Sequence, residues 1–312
     1  MRIAIYIAAF LLLFCVLPCF VITILLFRRK TIRDFDVRDK ANMKGYAPFL
    51  DGILADMAYM RSLAPKELHI TAPDGTRLAA EWYDAHGART AILAHGFCST
   101  PLNNFSTLGR ELIGRGFNVL MIWQRGHGKS GGKYTTLGIK EHEDLLLWID
   151  EAERLAPKTG IILYGISMGG ATVAYASDRI ASPNVKALCI DCCYCSPYDQ
   201  MCRGKGLLSV LWTPIMPLIM LFSRLMLGVN IRKRTTDSLK DTRIPAVFLI
   251  GLDDETVTPK SFRANFVSCG SEKELIEVRS APHALAFVAA DEAARLRFFD
   301  FIDKSFREEV SL

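Results

Sequence analysis

The sequence predicts an α/β architecture: a mostly parallel sheet with helices on both faces, preceded by one long apolar segment. Two patterns carry this. Short runs rich in Ile, Leu and Val alternate with longer segments of helical character, and an uncharged run of 25 residues, Ile3 to Phe27, stands at the N-terminus. Apolar runs of strand length without strict alternation are what strands buried on both faces look like, and their alternation with helices implies parallel pairing.

The elements follow in order. Glu67–Thr71 and Leu78–Tyr83 flank Ala72-Pro73-Asp74-Gly75, a hairpin signal. Further strands are expected at Ala91–Ala94, Val119–Trp123, Ile161–Tyr164, Val185–Ile190, Ala246–Ile250 and Leu275–Val278. Helices are expected at Leu102–Arg115, Ile139–Leu155, Gly169–Ile180, Pro259–Ser268 and Ala284–Phe306. The organisation read from this is an anchor with its basic flank over 1–30, a linker and first helix over 31–64, and one α/β domain over 65–312. That domain carries a helical insertion, a small cap, at about 196–243. Within it, Gly204 to Gly228 is apolar enough to suggest a second membrane span. Pro214, Pro217 and Arg224 argue for a helical cap instead.

At 1.5 Å per residue the N-terminal run reaches roughly 37 Å, enough to cross a bilayer with some tilt. It is too long for the apolar region of a signal peptide, and Arg28-Arg29-Lys30 stands where a cleavage site would lie. The expectation is an uncleaved single-pass anchor. Seven basic residues against three acids between Arg28 and Lys44 account for +4 of the chain's net +5. Positive flanks stay inside, so the body is expected on the cytoplasmic side. The remaining near-neutral body excludes a nucleic-acid footprint. Seven cysteines outside the apolar run, with Cys189, Cys192, Cys193 and Cys195 crowded together, fit a reducing compartment better than a disulfide framework. Their irregular spacing, with no histidine nearby in sequence, gives no metal signature.

The chemistry concentrates at Gly165-Ile166-Ser167-Met168-Gly169. Alone, a G-x-S-x-G pattern marks no more than a turn. Between a buried strand and a small-residue helix start, it places a serine on a sharp strand-to-helix turn. A serine hydroxyl needs an adjacent base to become a nucleophile. Of six histidines, His283 alone follows Ser167, in a small-residue loop between the last strand and the last helix. The orienting acid is expected after the preceding strand, where Asp253 and Asp254 stand side by side. Asp254 is the choice, and Asp253 the fallback. The oxyanion requires two backbone N–H groups, expected at Met168 and, after Ala91–Ala94, at Phe97.

Together His95-Gly96, Gln124 to Ser130, Gly165 to Gly170, the Gly251-to-Asp254 loop and His283 resemble the α/β-hydrolase superfamily. Within it the chain is similar to the esterase, monoacylglycerol-lipase-like and serine-aminopeptidase-like branch, including its bacterial membrane-anchored members. The resemblance covers roughly Glu67 to Phe306 and implies Ser167, Asp254 and His283 as a triad, with oxyanion donors at Phe97 and Met168. It departs at Gln124, where relatives often carry aspartate. The expected activity is hydrolysis of carboxylic ester or thioester bonds through an acyl-enzyme, without cofactor or metal. The apolar cap and the anchor suggest a small-molecule or lipid acyl substrate. A peptidase on the same machinery and a catalytically silent membrane scaffold remain as alternatives, and oligomeric state stays open.

Overall fold

The computed structural model describes residues 12–36, 45–203 and 207–307, together with residues 2, 3, 6, 10 and 39. A π-helical turn at Leu12–Val16 leads into α1 (Leu17–Phe27), and α2 (Leu50–Ser62) precedes the first strand. Then come β1 (Lys66–Thr71), β2 (Arg77–Tyr83), β3 (Arg89–Ala94), α3 (Pro101–Gly114), β4 (Phe117–Trp123), α4 (Glu141–Leu155), β5 (Gly160–Ile166) and α5 (Met168–Ala176). After β6 (Val185–Asp191) the chain makes three helices, α6 (Pro197–Met201), α7 (Leu207–Leu227) and α8 (Thr235–Leu239). The fold closes with β7 (Ala246–Gly251), α9 (Pro259–Ser268), β8 (Lys273–Val278), α10 (Ala286–Ala289) and α11 (Glu292–Arg307).

The eight strands form one sheet in the order β1-β2-β4-β3-β5-β6-β7-β8. β2 runs antiparallel to both β1 and β4, and every other pairing is parallel. The central strands β4 and β7 are buried along their whole length, as helices on both faces require. The sequence-expected strands all form, each lengthened by up to three residues because ladder pairing carries past the apolar core. Helix starts follow local chemistry: Thr100 caps α3 by accepting from the Asn103 amide at 3.1 Å, with Pro101 in the first turn.

Three expectations are corrected. The last helix is two, α10 and α11, because Ala290 is extended and Asp291 caps a fresh start by accepting from the Ala294 amide at 2.8 Å. The helix expected over Gly169–Ile180 stops at Ala176, where Arg179 turns back to the Ala176 carbonyl. The N-terminal run, expected as a membrane-crossing helix, is interrupted in its described part: a π-turn precedes Pro18, whose missing N–H and ring break the helical ladder. Among the described residues no helix is long and apolar enough to cross a membrane. Most of Ile3 to Leu11 lies outside the described residues.

α1 is two-faced. Cys19, Thr23 and Phe27 are buried at four-residue spacing, while Leu17, Val21 and Leu25 on the other side are exposed. It packs on α7, with Phe20 and Phe222 edge to face at 5.3 Å between ring centroids. In α7 Met216, Ile219, Ser223 and Leu227 are buried and Leu221 and Leu225 exposed, the spacing of a helix lying on a protein surface.

Candidate active site

The turn from β5 into α5 puts Ser167 in a backbone conformation few non-glycine residues adopt, φ 55° and ψ −110°. It is held there by neighbouring strands and the helix. The Ser167 amide donates to the Asp191 carbonyl at 2.8 Å, and the Ala171 amide donates back to the Ser167 carbonyl at 2.9 Å. The flanking glycines exist because the backbone closes on itself. A Cβ on Gly165 would lie 2.1 Å from the Gly169 carbonyl oxygen, and one on Gly169 would lie 1.8 Å from that of Ala94.

Three remote loops meet over this turn. The Ser167 hydroxyl donates to His283 Nε2 at 2.9 Å, and His283 Nδ1 donates to Asp254 Oδ2 at 2.8 Å. The other carboxylate oxygen, Asp254 Oδ1, accepts from the amides of Thr256 and Val257, both at 2.8 Å, which fixes its plane. Asp253 is exposed and stands outside this chain of bonds. Phe97 lines the same cavity as Ser167 and His283. Among the described residues no hydrogen bond takes up the amide of Phe97 or of Met168.

The loop after β3 is shaped by buried neutral histidines. Burial, with His127 beside it, pushes His95 down to about 3, so it stays uncharged. It accepts from the Gln124 amide at Nε2, 3.1 Å, and donates from Nδ1 to the Gly96 carbonyl, 2.8 Å. His127, also lowered by burial, accepts from the Cys98 amide at 3.4 Å. Gln124 answers the departure noted in the sequence. Its side-chain amide binds the His95 carbonyl and accepts from Thr172 at 2.8 Å, tying this loop to α5. Arg125 beside it forms a two-pronged ion pair with Asp144 at 2.6 and 2.5 Å.

Sequence reasoning missed two groups behind the histidine. Tyr46, in the stretch read as linker, donates its hydroxyl to the His283 carbonyl at 3.1 Å. Burial, with Cys192, Asp191 and Asp254 nearby, raises its pKa and keeps it a donor. Asp191, at the end of β6, is fully buried; its Oδ2 accepts from Tyr164 at 3.0 Å, and Oδ1 has no hydrogen bond among the described residues. Burial raises it from 3.8 to about 7. The folded state therefore holds this proton more tightly than the unfolded chain. The resulting stabilisation is full below the ordinary carboxyl range and lost as pH rises through about 7. Asp191→Asn is expected to flatten the fall in melting temperature between pH 5 and pH 8, measured by calorimetry. A wild-type slope left intact in the variant would refute this.

A metal does not fit here. Cys192 Sγ, Asp254 and His283 bring ligand atoms within 4.8 Å of one another. Yet both histidine nitrogens and the carboxylate are already bonded, and burial pushes the Cys192 thiol well up, leaving it protonated.

The cavity at Ser167 holds about 300 Å³. Six apolar side chains, Leu26, Phe97, Leu137, Tyr194, Pro197 and Met201, line it with Gln200, Thr256, Ser167 and His283. Three larger hollows are lined by neither Ser167 nor His283: two of about 410 and 620 Å³ beside β2, and one of about 430 Å³ beside α3.

A family model described as Serine aminopeptidase, S33, matches residues 86–220, the part of the sheet that carries the serine turn. The chain has the α/β-hydrolase fold. It is a hydrolase that is 24% identical over 217 residues to the uncharacterized protein YqkD of Bacillus subtilis, covering 69% of this chain and 71% of that one. It is similar in structure to the esterase Pf2001 of Pyrococcus furiosus, with TM-score 0.62 and 23% identity over 78% of this chain and 94% of the other. A membrane phospholipase A described as a bacterial virulence factor aligns with TM-score 0.57 and 16% identity, over 86% and 96% of the two chains. At these identities the structural likeness speaks for the α/β-hydrolase fold alone.

Proposed function

We propose that this α/β-hydrolase cleaves carboxylic ester or thioester bonds of a hydrophobic acyl substrate through an acyl-enzyme on Ser167. The observation that carries the reading is the unbroken line of hydrogen bonds from the Ser167 hydroxyl through His283 to Asp254. As Ser167 Oγ attacks the carbonyl, its proton passes to His283 Nε2, and Asp254 stabilises the imidazolium that forms. Charge collecting on the carbonyl oxygen is met by the amides of Phe97 and Met168. The leaving alcohol or thiol takes the proton from His283. Water then attacks the acyl-enzyme, giving its proton to His283 and releasing the acid as Ser167 is restored.

The apolar wall of the cavity favours an acyl chain. An aminopeptidase on the same machinery needs a carboxylate to receive the free amine, and among the described residues none lines the cavity. Asp199, next to the lining residue Gln200, is engaged by Arg234 at 2.9 Å. The N-terminal apolar run and its basic flank support attachment to a membrane with the catalytic body on the cytoplasmic side.

A panel of p-nitrophenyl esters, acyl thioesters and aminoacyl p-nitroanilides tests the reaction class. Ester and thioester turnover with aminoacyl anilides untouched is expected. Faster release from aminoacyl anilides than from esters would reverse the choice.

A further inference from the structure

The cavity over Ser167 is closed on one side by the N-terminal helix. We propose that Leu26 of α1 forms part of the acyl-chain wall, so that the substrate is a medium-chain acyl ester drawn from the bilayer surface alongside this helix. The inference rests on the esterase reading above and adds the substrate class and the residue that gauges it.

Leu26 shares the cavity lining with Phe97, Met201, Ser167 and His283. Its neighbour Leu25 is exposed, as are Leu17 and Val21 before it. One helix thus turns an apolar stripe outward and an apolar side chain toward the reacting serine. Leu221 and Leu225 of α7, the helix packed against it, extend the exposed apolar surface. Leaving such a stripe in water costs free energy that lipid acyl chains would return.

The helix is seated firmly enough to act as a wall. Phe27 is fully buried, and its carbonyl accepts from the Thr135 amide at 2.8 Å. The Arg29 amide donates to Lys133 at 2.8 Å and the Lys30 amide to Gly126 at 2.9 Å. The Arg29 side chain donates to the carbonyls of Ser130 and Gly128. Residues 27–30 are therefore stitched to the loop that follows β4. Lys30 Nζ stands 5.2 Å from the centroid of the Phe97 ring, beside the proposed oxyanion donor, and Arg28 is exposed. Cations at the end of an apolar helix suit the level of phospholipid headgroups. At about 30 Å³ per heavy atom, the share of a water in the liquid, the cavity takes roughly ten atoms of chain.

The test uses the full-length protein in anionic phospholipid vesicles and the ratio of kcat/KM for p-nitrophenyl octanoate to that for the acetate. Leu26→Trp should lower this ratio tenfold or more, and Leu26→Ala should move the optimum to longer chains, whereas Leu25→Trp keeps the wild-type ratio. A monoacyl glycerol should be turned over faster from vesicles than at the same concentration as dispersed monomer. A ratio unmoved by both Leu26 variants would overturn the wall. Monomer turned over in preference to vesicle-borne lipid would overturn the bilayer source. If wild type fails to hydrolyse even the acetate, the esterase reading itself falls, an outcome distinct from either.

Discussion

Ser167→Ala should lower turnover of a short ester by on the order of 10⁶-fold, and His283→Ala should cost about as much, because the two act as one unit. The double variant should be no worse than either single one. Asp254→Asn should cost about 10⁴-fold: the amide still fills the site but holds the imidazole in the wrong tautomer and leaves the imidazolium unpaired. All three variants should keep the fold: Ser167→Ala removes one oxygen, His283→Ala trims a partly exposed ring, and Asp254→Asn keeps the size of the side chain. The measurement is steady-state hydrolysis of p-nitrophenyl acetate, with circular dichroism as the folding control. Additive losses from Ser167 and His283 would mean that they do not work together.

Gly169→Ala should abolish activity by a different route. The added methyl would lie 1.8 Å from the Ala94 carbonyl oxygen and 2.6 Å from its carbon, both backbone atoms of a central strand. Neither can swing away as a side chain does, so α5 must lift from β3. Overpacking of this kind costs about 3 kcal/mol or more, a fall in melting temperature of roughly 10 °C for a domain of this size. The movement carries the Met168 amide and Ser167 with it. Gly52→Ala is the control: a Cβ there meets nothing within 4 Å. It sits inside a helix, and alanine should be neutral or stabilise by up to about 1 kcal/mol. Comparable melting temperatures for the two variants would show that the close approach at Gly169 is not what keeps that position a glycine.

The parts of the fold legible in the sequence are those set by short-range pattern. β3 to β7 read as strands because burial on both faces makes their composition predominantly apolar. Ser167 stood out because the sharp turn demands small residues at fixed offsets on either side. His283 and Asp254 were reachable through chain order alone, since each follows a strand that local pattern reveals. What escaped depends on contacts between distant segments. Nothing in the neighbourhood of Tyr46 signals a bond to a carbonyl 237 residues away. Leu26 looks like any other residue of a long apolar run until α1 is docked. Asp191 reads as the polar end of a strand, and its burial follows only from the Ser167 turn and Tyr164 packing over it. The break at Asp291 did have a local signal, an aspartate at a helix start, but the alanines before it masked the boundary. Pro18 likewise announced an interruption, while the length of the apolar run suggested continuity.

Labelling with a fluorophosphonate probe, followed by mass analysis of the modified peptide, tests the central claim most directly. The account predicts one adduct, on Ser167, formed rapidly by the full-length protein in membranes and lost in His283→Ala. A folded protein that reacts at another serine, or that reacts equally well without His283, would contradict it.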